Sequence, residues 1–127
     1  MQLLLDTHTF LWSIEGQGLS KRAAEAFLDP ENDLYLSAAS YWELCIKFSI
    51  GKLDLGSGWQ KTMDQEMAAN SIRWLPIEKT HCQAVTILPV IHRDPFDRLL
   101  VAQAMVEDMA LLTVDANIRR YSIATIW

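Results

Sequence analysis

The chain has 127 residues, half of them hydrophobic, with 16 acidic against 11 basic side chains and a net charge of −5. That length suits one compact domain spanning residues 1–127, whose apolar half supplies a core without disulfides or a structural metal. The acidic excess argues against a protein that grips nucleic acid by neutralising phosphates alone; a phosphate-bearing partner has to meet bound cations that reverse the local field.

In chain order, Leu3-Leu4-Leu5 reads as a short buried strand, too uniformly apolar for a half-exposed one. Asp6-Thr7-His8-Thr9 follows, polar residues suited to capping a helix around Phe10-Leu11-Trp12. Ser20 caps a second helix that runs to about Leu28, and Asp29-Pro30-Glu31-Asn32 makes a turn. Leu34-Tyr35-Leu36 is the second strand, and Ser37 opens a helix through about Phe48. Gly51, Gly56, Ser57 and Gly58 mark a loop inside the domain. A helix from about Trp59 to Ala69, a strand at Ile72–Leu75 closed by Pro76, and a helix from Glu78 to about Leu88 come next. Asp94-Pro95 combines a capping carboxylate with proline at the first helical position, and predicts a helix to about Asp108. Leu111–Val114 is another strand, followed by a helical turn and a last strand near Ile123–Thr125.

Short apolar strands alternating with helices predict a parallel sheet covered on both faces. In such sheets ligands collect outside the carboxyl ends of the strands, near the point where strand order reverses. Cys45 and Cys82 show no CxxC spacing and are expected to be small core residues in a reduced compartment. The N-terminus lacks the basic flank and long apolar stretch of a signal peptide, and no apolar run reaches the ~20 residues that span a bilayer. A soluble, cytoplasmic protein with no membrane contact is the expectation.

Four carboxylates carry the chemistry. Asp6 and Asp115 each follow a predicted strand directly, so both emerge at the same sheet edge if those strands are neighbours. Alone, either residue reads as a helix cap. Asp97 opens a helix that is apolar on most sides and shares a face with Leu100, Val101 and Ala104; its ordinary role is to favour the helix dipole or pair with the Asp94 cap. Glu43 shares a stripe with Ser40 and Lys47, which by itself describes a solvent face with a Glu–Lys pair. As a set they mean more. Carboxylates gathered in a small volume repel one another unless protonated or bridged, and hard cations such as Mg²⁺ or Mn²⁺ prefer carboxylate oxygens. No His/Cys cluster competes for a softer metal. Such a site suits phosphodiester hydrolysis, in which one cation makes hydroxide from water and another can stabilise the leaving oxygen.

Leu4-Leu5-Asp6-Thr7-His8 with Leu11-Trp12, Ser37-Ala38-Ala39-Ser40-Tyr41-Trp42-Glu43, His92-Arg93-Asp94-Pro95-Phe96-Asp97-Arg98-Leu99-Leu100 through Ala104, and Leu111-Leu112-Thr113-Val114-Asp115 with Tyr121 together resemble the PIN domain, in particular the VapC-type toxins of bacterial toxin–antitoxin pairs. Asp-Thr-His and Trp-Glu are weak signals singly; the ordered set, spread over essentially the whole chain, is strong. The resemblance implies a three-layer α/β/α fold with a central, mostly parallel sheet and an endoribonuclease that uses Mg²⁺, or Mn²⁺. It implies that Asp6, Glu43, Asp97 and Asp115 form the acidic quartet, with Asp6 and Asp97 as direct metal ligands, Glu43 and Asp115 completing the shell, and Thr113 near the pocket. Asp94 falls to the helix cap. A homodimer, an RNA substrate and a cognate antitoxin are implied as partners, with Trp12, Trp42, Trp59 and Trp127 as interface candidates and core packing expected for at least half of them. Lys47, Arg93 and Arg98 are the candidates for holding the RNA backbone. A phosphatase or DNA nuclease on the same acidic pocket, a phosphoacceptor domain and a non-catalytic binding module are the rival readings. The phosphoacceptor lacks a lysine after the late strand, where only Arg119 and Arg120 are basic.

Overall fold

The computed structural model describes Met1 through Trp127. Its centre is a five-stranded sheet in the order β3-β2-β1-β4-β5, formed by β1 (Gln2–Leu5), β2 (Asp33–Ser37), β3 (Arg73–Leu75), β4 (Ala110–Leu112) and β5 (Thr125–Ile126). Every pairing is parallel. The helices are α1 (Thr7–Glu15), α2 (Lys21–Leu28), α3 (Ala38–Ser49), α4 (Trp59–Ala69), α5 (Lys79–Val85) and α6 (Pro95–Glu107), with a 3-10 turn at Ile118–Arg120.

Alternation along the strands divides the core between the two faces. Leu3 and Leu5 of β1 and Ala110 and Leu112 of β4 pack on one side with Phe10 of α1, Phe27 of α2 and Trp59 and Met63 of α4. Leu4 and Leu111 point the other way, onto Ala84 of α5 and Leu100, Val101 and Ala104 of α6. That is the three-layer α/β/α arrangement. Leu3, Leu4, Leu5, Leu111 and Leu112 are wholly buried, each worth about 1.5–3 kcal/mol of burial. This explains why strands of three or four residues persist between two helical layers.

Helix α3 belongs to neither layer alone: Ala39 near its start joins one core and Leu44 joins the other. It therefore passes from one face of the sheet towards the other, starting at the carboxyl end of β2. Its origin is pinned by Ser37, whose Oγ accepts the Ala39 amide at 3.0 Å and donates to Gln103 Oε1 of α6 at 2.5 Å. Chain direction reverses at β1: successive strands run outward to β2 and β3, then the chain returns to the other side for β4 and β5. The switch point falls between β1 and β4, the place where sheets of this kind bind ligands.

Element order agrees with the sequence reading, and four details differ. Strand β4 is Ala110–Leu112 rather than Leu111–Val114. Helix α5 ends at Val85, because the amides of Thr86, Ile87 and Leu88 bond three residues back. The last strand lies at Thr125–Ile126, where Leu111 and Leu112 supply its register. Cys82 is exposed rather than in the core, and Cys45 is half-buried. No helix is long and apolar enough to cross a membrane.

Candidate functional site

Asp6 leaves β1 at the carboxyl edge, next to the end of β4, since Leu5 and Leu112 are paired. It is 4% exposed. One oxygen, Oδ1, accepts the Thr9 amide at 2.9 Å and caps α1; the other accepts the Thr113 hydroxyl. Thr113 Oγ1 also accepts the Asp115 amide at 3.0 Å, so one buried hydroxyl ties the ends of β1 and β4 together. Capping and pocket-forming are one arrangement here, because a cap at a strand–helix junction lies at the ligand-binding edge by construction.

Asp115 sits on the turn after β4. Its Oδ1 accepts the amides of Asn117 at 2.7 Å and Ile118 at 3.1 Å. Burial by itself would raise this carboxyl, but those two amides and the His92 ring together hold it below the usual range.

Glu43 is 6% exposed. The Glu–Lys pair suggested by spacing exists, with Lys47 Nζ 3.1 Å from Oε2. It does not put Glu43 on a solvent face: Thr7 of α1 donates its hydroxyl to Oε1 at 2.7 Å, covering the carboxylate from the side of Asp6.

Asp97 lies in the first turn of α6. The cap is Asp94, whose Oδ1 accepts the amides of Phe96 at 2.8 Å and Asp97 at 3.2 Å. The Asp97 side chain is left facing the pocket, 19% exposed. Its carboxyl is pushed up to about 7, first by burial and then by the charge of Asp94; His92 opposes this, and Glu43 and Asp6 add to it. Asp97 of α6 thus feels the charges of Asp6, just past β1, and of Glu43 on α3, and His92 joins Asp97 to Asp115.

His92 was not assigned a role from the sequence, although it lies in the segment that carries the resemblance. Its Nε2 is 3.0 Å from Asp97 Oδ2 and 3.4 Å from Asp115 Oδ2. Its Nδ1 accepts the Asp94 amide at 3.2 Å, which assigns a hydrogen to Nε2 and makes the ring a donor between two carboxylates. The Tyr121 hydroxyl accepts the His92 amide at 2.9 Å and fixes the backbone beneath it. The only sequence signal was the histidine's place five residues before Asp97.

Arg98 belongs to this support, which corrects its candidacy as an RNA-backbone ligand. Its guanidinium donates to the carbonyls of Pro89 at 3.0 Å and Val85 at 3.2 Å and to the Tyr121 hydroxyl at 3.2 Å, holding the segment before α6. Lys47 is paired with Glu43, and Arg93 is exposed. Of the tryptophans singled out, Trp59 is core at 7% exposed, Trp12 and Trp127 are half-buried with ring centroids 5.6 Å apart, and Trp42 is 59% exposed.

The donor set fits a hard divalent cation. Asp97 and Asp115 lie in a group with His92 whose polar atoms are within 4.8 Å of one another; Asp6 and Glu43 lie outside that group, and the His92 ring, with both nitrogens engaged, acts there as a donor that orients the two aspartates. Asp97 is pushed up to about 7, first by burial and then by the charges of Asp94, Glu43 and Asp6; a cation would offset that carboxylate repulsion.

A parallel α/β/α sheet with carboxylates gathered at its switch point defines a class of proteins whose ligand site lies at that edge. The chain belongs to the PIN domain family, whose model matches residues 3–124. It is 27% identical to Ribonuclease VapC22 of Mycobacterium tuberculosis, over 94% of this chain and 91% of that protein. Among solved structures, VapBC2 from Rickettsia felis bound to a promoter DNA fragment superposes with a TM-score of 0.76 at 16% identity, covering 98% of this chain and 97% of the matched one. VapBC-1 from nontypeable Haemophilus influenzae gives 0.65 at 18%, covering 98% and 96%. These similarities establish the fold.

Proposed function

We propose that the protein is a metal-dependent endoribonuclease, the toxin of a type II toxin–antitoxin pair. The observation that carries this reading is the convergence of Asp6, Glu43, Asp97 and Asp115 at the sheet's switch point in a PIN-family chain, with Asp97 pushed up to about 7 by its surroundings. Similarity to a VapC ribonuclease supports RNA as the substrate. The fold shared with VapBC complexes supports an antitoxin partner. A homodimer and a cytoplasmic location complete the proposal.

Asp6 and Asp97 are the direct ligands of Mg²⁺ or Mn²⁺ in this reading, with Glu43 and Asp115 completing the shell. When bound, the cation supplies a water of lowered pKa and a counter-charge for the scissile phosphate. The chain's own part is orientation. Thr7 and Lys47 aim Glu43, Thr9 and Thr113 aim Asp6, and two turn amides aim Asp115; such outer contacts hold ligands ready so that little reorganisation is left for the reaction.

The test is cleavage of a mixed RNA pool by purified protein with Mg²⁺, with Mn²⁺ and with EDTA, alongside an Asp6→Ala control. Cleavage that requires the cation and vanishes in the variant is the expected result. Cleavage that survives EDTA or the Asp6→Ala change contradicts the proposal.

A further inference from the structure

We propose that His92 is a positioning residue for the divalent cation, a fixed N–H donor rather than a ligand, which ties Asp115 to Asp97 and leaves Asp97 Oδ1 to the metal. This rests on the metal-dependent reading above and is independent of what the site cleaves. The ring is held at two points. Proline keeps the residue before it extended, and Asp94, before Pro95, has φ −67° and ψ 119°. Its amide donates to His92 Nδ1 at 3.2 Å while its side chain caps α6. The Tyr121 hydroxyl accepts the amide of His92 itself at 2.9 Å. The start of α6 and the ring are thereby set together. An imidazole whose Nδ1 accepts a hydrogen bond carries its hydrogen on Nε2. Nε2 is the atom that meets Asp97 Oδ2 at 3.0 Å and Asp115 Oδ2 at 3.4 Å, so it faces the carboxylates with a proton and no lone pair.

The partners of the carboxylate oxygens show what that donor does. Asp6 has Thr9 on Oδ1 and Thr113 on Oδ2, and Glu43 has Thr7 on Oε1 and Lys47 on Oε2. Asp115 has two turn amides on Oδ1 and His92 on Oδ2. Asp97 has His92 on Oδ2 and no donor from the chain on Oδ1. It is the one oxygen of the four carboxylates left without a partner, on a side chain only 19% exposed. A largely buried acceptor short of a donor costs stability, and a hard cation is the partner that suits a carboxylate oxygen. Asp115, with a donor on both oxygens, is held as a fixed outer charge. Without the ring N–H, the two aspartates would turn apart, since like charges repel, and Oδ1 would lose its fixed direction.

The experiment titrates Mn²⁺ into the purified protein, without RNA, and reads bound metal by electron paramagnetic resonance in the wild type, His92→Ala and His92→Gln. His92→Ala is expected to weaken Mn²⁺ binding about 10- to 100-fold, as loss of a donor behind a metal ligand does, with circular dichroism unchanged. His92→Gln keeps an N–H donor of similar reach and should stay within a few-fold of wild type. A second readout needs no variant: spin-echo spectra of Mn²⁺ on the wild type should show no strong coupling to a nitrogen, because the imidazole is not coordinated. If protein that follows this pattern cuts no RNA, the ribonuclease reading falls and the role of His92 stands. Strong coupling to a directly bound imidazole nitrogen, or equal losses in His92→Ala and His92→Gln, makes His92 a ligand and overturns the proposal. Mn²⁺ binding that His92→Ala leaves unchanged overturns it too, as does a wild type that binds no Mn²⁺.

Discussion

Two polar clusters lie within the fold, and they are built on opposite principles. One joins α3, α5 and α6: Ser37 donates to Gln103 Oε1, and Gln103 Nε2 donates to the Pro76 carbonyl at 3.2 Å. His81 accepts the Glu78 amide on Nδ1 at 2.9 Å and meets Glu107 with Nε2 at 2.7 Å. Ser37, Gln103 and His81 are wholly buried, and each donor there has an acceptor. The other cluster is the carboxylate pocket, where one ring N–H is shared between two aspartates and acceptors outnumber donors. The first is a closed network that sets how α3 and α6 cross. The second is an open one that lacks positive charge. Buried polar groups stabilise a fold when they are matched and cost it stability when they are not, so the same α6 contributes Gln103 to one and Asp97 to the other with opposite consequences.

The largest expected effect that sharpens this contrast is on activity. Glu43→Gln or Asp97→Asn should reduce RNA cleavage by more than about 100-fold, beyond the usual cost of losing an outer partner of a metal ligand, while circular dichroism stays unchanged. Gln103→Glu, which keeps the side chain's shape in the closed network, should not share that loss once differences in folded fraction are allowed for.

Stability should respond the other way. The folded protein holds the Asp97 proton more tightly than the unfolded chain does, with its carboxyl at about 7 against an ordinary 3.8. The penalty is absent below pH 4, grows as pH rises, and is complete above 7, where it amounts to at most about 4 kcal/mol. Urea unfolding of metal-free protein should therefore show Asp97→Asn gaining on wild type between pH 4 and pH 7, with no difference below. A constant difference across that range would show that Asp97 is not strained by its neighbours.

Gln103→Leu breaks the closed network instead. It leaves Ser37 Oγ and the Pro76 carbonyl short of a partner, and should cost about 1–3 kcal/mol at every pH in the same experiment. Arg98→Lys is the smallest of the set. An ammonium cannot reproduce the fork that spans Val85, Pro89 and Tyr121, so a loss of about 1 kcal/mol is expected, together with faster amide exchange between Val85 and His92. Unchanged stability but weaker RNA binding would return Arg98 to the substrate.

Much of this was visible in the chain. Alternating apolar strands and helices gave the parallel sheet, and Asp94-Pro95 marked the start of α6 to the residue, because caps and short buried runs are local signals. Asp6 and Asp115 could be placed on one edge because each follows a short apolar run that reads as a strand. Glu43 was harder: its i,i+4 partner Lys47 is real, and only the packing of α1 through Thr7 shows that the carboxylate is covered. For a shared reason, the bridging of His92 and the anchoring of Arg98 are not legible in the sequence. Both depend on the chain between Val85 and His92 folding back over α6 and Tyr121, a contact no helical or strand period encodes. The Ser37–Gln103 bond spans 66 residues and carries no sequence signature.

The most direct test of the central claim is thermal unfolding at pH 7.5 with and without Mn²⁺, comparing wild type with Asp97→Asn. If the pocket is an array of carboxylates awaiting a cation, wild type starts lower and rises with Mn²⁺, whereas Asp97→Asn starts higher and rises little. If Asp97→Asn is the less stable protein without metal, or gains as much from Mn²⁺ as wild type does, the four carboxylates are structural and the cation site is wrong.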